Sequence, residues 1–185
     1  MIEVRFHGRG GQGAVTSAEM LALAAIHEGK YAQAMPSFGP ERRGAPVAAF
    51  ARVDDERIRL RIGITAPDFV LVLDPSLLNL PAVPLGLKPG GVVIANTSHD
   101  EAAVRATMNG YAGRLALVDA TEIAARILGV PITNTAMLGA LARVAGSPAL
   151  ESFSEPLHER FGKVADRNLN ALKAAHDATR VFEGG

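Results

Sequence analysis

The N-terminus passes from a β-branched and aromatic run, residues 2–7, directly into Gly8-Arg9-Gly10-Gly11-Gln12-Gly13. An Ala- and Leu-rich stretch, residues 14–28, follows and is closed by Gly29. Strand, glycine turn and helix in that order constrain the chain to an α/β architecture, because a strand that feeds a crossover helix is built to acquire parallel neighbours. Later segments agree. Phe69-Val70-Leu71-Val72-Leu73 is an unbroken apolar run ending at Asp74-Pro75, and residues 92–95 and 115–118 repeat the pattern, the last ending at Asp119. Continuous apolar runs of this length predict parallel strands covered on both faces. Residues 101–109, 121–128, 135–144, 151–161 and 165–182 carry helical patterns between and after them.

Two stretches depart from this alternation. Residues 30–35 look extended and residues 36–46 are too rich in Gly and Pro to be regular, while residues 47–53 read as a strand. After the turn Asp54-Asp55-Glu56, Arg57-Ile58-Arg59-Leu60-Arg61-Ile62 alternates strictly between cationic and apolar residues. That pattern predicts a half-exposed antiparallel strand, hairpin-paired with residues 47–53 and lined with Arg on one face. The expected fold is therefore a Rossmann-like, doubly wound mixed α/β sheet with an antiparallel excursion and C-terminal helices, in a single domain spanning residues 1–185. Gly146-Ser147-Pro148 would let the last two helices stand apart as a subunit-contacting appendage.

Lys plus Arg and Asp plus Glu each number 19, so no overall charge recommends nucleic acid or an anionic membrane as a partner. No run approaches the roughly 20 apolar residues of a membrane span, and the N-terminus lacks a basic flank followed by an apolar run, so a cytoplasmic protein is expected. The sequence contains no Cys, which excludes disulfides, thiolate metal sites, cysteine-ligated clusters and a Cys nucleophile from this chain.

Gly8, Gly10 and Gly13 satisfy G-x-G-x-x-G between a strand and a helix. In that context backbone N–H groups and the helix N-terminus can receive a phosphate, with Arg9 adding a charged contact. The same glycines also serve a tight turn and close helix packing, so both readings stand. A complete dinucleotide site is disfavoured, because Ala32-Gln33-Ala34-Met35 stands where an acidic residue is expected. Ser37-Phe38-Gly39-Pro40-Glu41-Arg42-Arg43-Gly44-Ala45-Pro46 combines restricted backbone with one carboxylate and two guanidinium groups. It reads either as an anion- or partner-binding hook, with Glu41 holding one Arg, or as a rigid loop with solvated charges. His7, His27, His99, His158 and His176 show no metal-ligand spacing. Ser17 lacks the surroundings of a hydrolase nucleophile, and Asp74 and Asp119 are explained by turn formation and helix capping.

Gly8-Arg9-Gly10-Gly11-Gln12-Gly13 followed two dozen residues later by the segment 37–46 is similar to the γ subunit, or γ domain, of pyruvate:ferredoxin and related 2-oxoacid:acceptor oxidoreductases. The resemblance continues through Ile58-Arg59-Leu60-Arg61 and residues 70–78 to Ile132-Thr133-Asn134-Thr135-Ala136-Met137-Leu138-Gly139-Ala140, and so covers most of the chain. It implies a γ-type subunit with no catalytic residue of its own and with CoA as the one cofactor candidate for this chain. Thiamine diphosphate and 4Fe-4S clusters would sit in α, β and δ-type partners, and the complex would convert pyruvate, a branched-chain or an aryl 2-oxoacid to acyl-CoA and CO2. Electrons would pass to ferredoxin or NAD. The resemblance assigns CoA-channel or subunit contacts to Gly8, Arg9, Gly10, Gly11, Gln12, Gly13, Ser37, Arg42 and Arg43. The competing reading is a stand-alone Rossmann-like CoA- or nucleotide-binding protein.

Overall fold

The computed structural model describes residues 1–36 and 44–185. Its strands are β1 (Ile2–Arg9), β2 (Tyr31–Pro36), β3 (Pro46–Asp54), β4 (Phe69–Val72), β5 (Val92–Asn96), β6 (Arg114–Val118) and β7 (Arg180–Phe182). Its helices are α1 (Ala14–His27), α2 (Glu101–Thr107), α3 (Ala120–Leu128), α4 (Asn134–Ala145), α5 (Ser154–Phe161) and α6 (Ala165–Ala178). The strands form one seven-stranded sheet in the order β2-β3-β1-β4-β5-β6-β7. Parallel pairing runs from β1 through β4 and β5 to β6, while β3, β2 and β7 join antiparallel at the two sides.

Alternation along the strands divides the interior into two cores. Val4 and Phe6, Leu71, Val92 and Ile94, Ala116 and Val118 face α1, α4 and α6. Val70 and Val72, Val93 and Ala95, Leu115 and Leu117 face Leu77, Leu78, Val83, Val104 and Met108 on the opposite side. Each fully buried Leu or Val contributes about 1.5–3 kcal/mol relative to an exposed one, which is why residues 69–72 and 92–95 are apolar on both faces of the sheet, the polar Asn96 coming only at the end of β5. Over β1 and β3 the second face is different. Glu3, Arg5, His7 and Arg52 are buried there, and the Arg5 Nη2 donates to the carbonyls of Ala82, Val83 and Leu85 at 3.0, 2.9 and 2.7 Å. A cation thus ties down the loop that closes this side of the sheet.

The C-terminal helices are not an appendage. Leu157 on α5 and Ala171, Leu172 and Ala175 on α6 lie in the first core, and Gly139 of α4 packs so closely on α6 that a Cβ there would stand 1.9 Å from the Leu172 carbonyl oxygen. Small residues on both helices allow this approach, and the apolar face of α6 has no other place to be buried. The helix expected over 165–182 ends earlier. Thr179 turns extended, its Oγ donates to the Ala175 carbonyl at 2.6 Å, and Arg180–Phe182 pairs with β6 as β7. The helix expected over 151–161 begins as a 3₁₀ turn, Leu150–Phe153, before α5.

The largest departure concerns Arg57-Ile58-Arg59-Leu60-Arg61-Ile62, which forms no strand. Both edges of β3 are already taken, by β1 on one side and β2 on the other, so the predicted hairpin has no edge to occupy. Among the described residues, no helix is long and apolar enough to cross a membrane.

Candidate functional site

The glycine loop lies at the carboxyl end of β1, where the chain leaves the sheet beside the carboxyl end of β4. In an open α/β sheet this is where ligands are received. Gly13 has φ 84° and precedes α1 without a side-chain cap, and a Cβ at Gly13 would stand 2.8 Å from Asn134 Nδ2 at the start of α4. Left-handed backbone and close approach both demand Gly here, and they bring the N-termini of α1 and α4 together. The uncapped end of α1 retains the partial positive charge of a helix N-terminus.

The loop's own donors are largely committed. The Gly10 N–H donates to the Ala45 carbonyl at 2.9 Å and the Gln12 N–H to the Arg9 carbonyl at 3.0 Å. The Arg9 N–H donates to Gln12 Oε1 at 2.7 Å, and the Gln12 Nε2 donates to Asp74 Oδ2 at 2.7 Å. The Arg9 guanidinium closes the arrangement: Nη1 donates to the Gly44 carbonyl at 3.0 Å, Nη2 donates to Ser76 Oγ at 2.7 Å, and Nε lies 3.3 Å from Asp74 Oδ2. Arg9 and Gly10 therefore clasp Gly44 and Ala45, the exit of the second sequence motif, onto the mouth of the crevice.

Asp74 organises this cluster. Its Oδ1 accepts from the Ser76 N–H at 2.9 Å and from Ser76 Oγ at 2.6 Å, so the capping role read from the sequence is present, and contacts with Gln12 and Arg9 are added to it. Partial burial pushes the carboxyl up, but the hydrogen bonds from Ser76 and Gln12 and the Arg9 charge outweigh that and hold it below the usual carboxylate range. Asp119 caps α3 by accepting from the Glu122 N–H at 2.9 Å. Behind Asp74, Asn96 at the end of β5 donates to the Leu73 carbonyl at 2.8 Å and to Thr121 Oγ at 2.9 Å. Gly11, Gln12, Asp74, Asn96, Thr121 and Thr133 line a cavity of about 270 Å³. That volume lies just below the roughly 300–1,000 Å³ of small-molecule pockets.

Of the sequence-derived site residues, Gly8, Arg9, Gly10, Gly11, Gln12 and Gly13 come together here. Ser37, Arg42 and Arg43 lie outside the described residues. Asp74, which the sequence places at the end of an apolar strand as a turn and capping residue, also holds Gln12 and Arg9; Asn96 carries the same signal, a polar residue ending an apolar run, and was not among the sequence candidates. Ser17 is buried inside α1. His7 is buried on β1 two residues before Arg9, and burial, aided by the Arg5 charge, pushes its imidazole down to about 4.

The sequence profile of the pyruvate ferredoxin/flavodoxin oxidoreductase family matches residues 3–178. The chain is 55% identical over 184 residues to the pyruvate/ketoisovalerate oxidoreductases common subunit gamma of Thermococcus kodakarensis, covering 99% of this chain and 100% of that one. It is 49% identical over 178 residues to the pyruvate synthase subunit PorC of Methanocaldococcus jannaschii, covering 96% of each. The crystal structure of the pyruvate oxidoreductase subunit PORC from Thermotoga maritima superposes with a TM-score of 0.89 at 41% identity over 98% of both chains. Sequence and fold agree along the whole chain, which belongs to the pyruvate ferredoxin/flavodoxin oxidoreductase family.

Proposed function

We propose that this chain is the γ subunit of a cytoplasmic, CoA-acylating 2-oxoacid oxidoreductase, a single γ-type domain that positions rather than performs the chemistry. The family assignment and the full-length match to γ and PorC subunits support this reading. The complex would oxidatively decarboxylate pyruvate or a related 2-oxoacid to acyl-CoA, with electrons leaving to ferredoxin or NAD. A chain without Cys offers no thiolate to a 4Fe-4S cluster, so clusters, with thiamine diphosphate, belong to α, β and δ-type partners.

The observation that carries the role is the clasp between Arg9 and Gly10 and the exit of the 37–46 motif at Gly44 and Ala45. It fixes two motifs that are separate in sequence as one surface at the carboxyl end of the sheet. That surface offers the uncapped N-terminus of α1 to an anionic ligand, which suits the phosphates of CoA arriving at a neighbouring active centre. It does not suit a stand-alone dinucleotide site. Asp74 already neutralises Arg9, the Gly10 and Gln12 N–H groups are spent within the chain, and β2 ends without an acidic residue for a ribose.

The test is purification of the tagged chain from its native host, with identification of co-purifying subunits and assay of CoA-dependent oxidation of a panel of 2-oxoacids. Thiamine-binding and iron-sulfur subunits should arrive with it, and activity with them. A chain that arrives alone and by itself binds CoA or a nucleotide tightly in calorimetry would overturn the subunit role.

A further inference from the structure

The sequence from Arg57 to Ile62 has the signature of a β-strand, and the folded chain does not use it as one. Its apolar positions gain little from the fold. Leu60 remains 42% and Ile62 68% exposed, so the alternation that should separate a buried face from a wet one separates nothing here. Arg57, Arg59 and Arg61 are exposed and have no carboxylate partner among the described residues. The segment is held at its exit, where the Arg52 Nη2 donates to the Gly63 carbonyl at 3.4 Å.

Next to it lies the open edge of the sheet. Among the described residues β2 pairs only with β3, so its outer row of N–H and C=O groups can take a further strand. Between β2 and the Arg segment runs a groove of about 670 Å³, lined by Gln33, Ala34 and Met35 on one wall and by Arg57 to Arg61 on the other. Among the described residues, an edge without a second partner strand, an unsatisfied strand pattern and three guanidinium groups without a carboxylate thus face one groove.

We propose that residues 57–62 and the β2 edge together form a docking site for an extended acidic segment of a partner subunit of the same oxidoreductase, which completes the strand pattern on assembly. This rests on the γ-subunit reading above. Backbone pairing supplies the register, Leu60 and Ile62 go under the incoming chain, and carboxylates on alternate residues meet Arg57, Arg59 and Arg61. Acidic chemistry is required because an uncharged strand would bury or crowd three guanidinium groups without anions.

The experiment compares hydrogen–deuterium exchange of the free chain with that of the assembled complex, together with co-purification of R57E/R59E/R61E. In the wild-type complex, amides of residues 31–35 and 57–62 should exchange at least about 100-fold more slowly than in the free chain. The variant should fold with an unchanged melting temperature, since the three side chains are exposed, and should lose its partners. If wild-type subunits assemble but residues 57–62 exchange as fast as before, or the variant assembles like wild type, the docking site is overturned while the subunit role survives. If the wild-type chain collects no partner subunits at all, both fall. Protection that develops in the free chain with its concentration, alongside dimer formation in light scattering, would assign the edge to a second copy and also overturn the proposal.

Discussion

Removing the Glu3 carboxylate should be far more damaging than its place at the start of the chain suggests. Arg52 is 1% exposed, and its Nε donates to Glu3 Oε1 at 2.8 Å. The Nη1 of Arg52 has no partner among the described residues, so Glu3 is the anion that makes its burial tolerable. The second Glu3 oxygen lies 3.3 Å from Lys88 Nζ, which also donates to Asp68 Oδ2 at 2.9 Å, and that same oxygen accepts from the Glu3 N–H at 2.8 Å. Glu3→Ala leaves the Asp68–Lys88 pair in place and strands the guanidinium. An uncompensated buried charge costs about 3–5 kcal/mol, and each kcal/mol lowers the melting temperature of a domain this size by about 2–4 °C, so a fall of roughly 6–20 °C is expected. Glu3→Leu combined with Arg52→Met removes both desolvation penalties and should return to within about 1.5 kcal/mol of wild type. Urea denaturation followed by far-UV circular dichroism reads Glu3→Ala and the cycle of wild type, Glu3→Leu, Arg52→Met and their combination. A loss under about 1 kcal/mol for Glu3→Ala, or a double variant as unstable as the two singles added, would refute the account of this pair.

Four further outcomes follow from the same contacts. Gly139→Ala drives a methyl group into the Leu172 carbonyl and should cost at least about 3 kcal/mol by separating α4 from α6, measured by urea denaturation. His7 titrates at about 4 when folded and at the ordinary 6.5 when unfolded, so the unfolded chain binds the extra proton between those values. Its contribution is full above pH 6.5 and shrinks by about 3 kcal/mol as pH falls to 4, and His7→Gln should flatten that slope in urea titrations at stepped pH. The Asp74 carboxyl is held low, so its stabilisation is present above the ordinary carboxylate range and lost as pH falls through the lowered folded value. Asp74→Asn should therefore shift the most acidic part of the stability curve and leave neutral pH changed only by the lost contacts. In the assembled oxidoreductase, Gln12→Ala, which removes the side-chain bridge between the Arg9 backbone N–H and Asp74 and so loosens the glycine loop, should raise the KM for CoA roughly tenfold with kcat within about twofold, the effect of about 1.4 kcal/mol in binding.

Much of the architecture was legible because the decisive signals are local. The run Phe69 to Leu73 contains no polar residue, which only a strand covered on both faces requires, and β4 sits at the middle of the sheet. The glycine turn announced its place between β1 and α1. Signals that depend on distant pairing were misread. Nothing in residues 47–53 states that β3 will have both edges occupied, so the hairpin with residues 57–62 looked natural. Arg180-Val181-Phe182 continues a helical periodicity in sequence, and only the free edge of β6 makes it a strand. At the site the glycines were found and their partner was not, because the bond from Gln12 to Asp74 joins residues 62 positions apart.

The glycine fingerprint also shows why a motif and its usual ligand must be argued separately. Its physical content is permission: backbone may approach closely, and helix N–H groups point outward. Here the chain uses that permission on itself. Gly13 admits Asn134, the Gly10 N–H takes the Ala45 carbonyl, and Asp74 occupies the Gln12 amide and the Arg9 charge. What is left facing outward is the uncapped start of α1 and the clasped exit of a second motif, too little to hold a dinucleotide; under the proposed function it would border a ligand held mainly by partner subunits. The Arg57–Ile62 stretch makes the same point from the opposite direction, since its strand pattern is strong and its pairing is absent from the isolated fold. Local sequence agrees with global structure almost everywhere else in the chain, so the places where it does not are where contacts from outside the chain are expected to decide the structure.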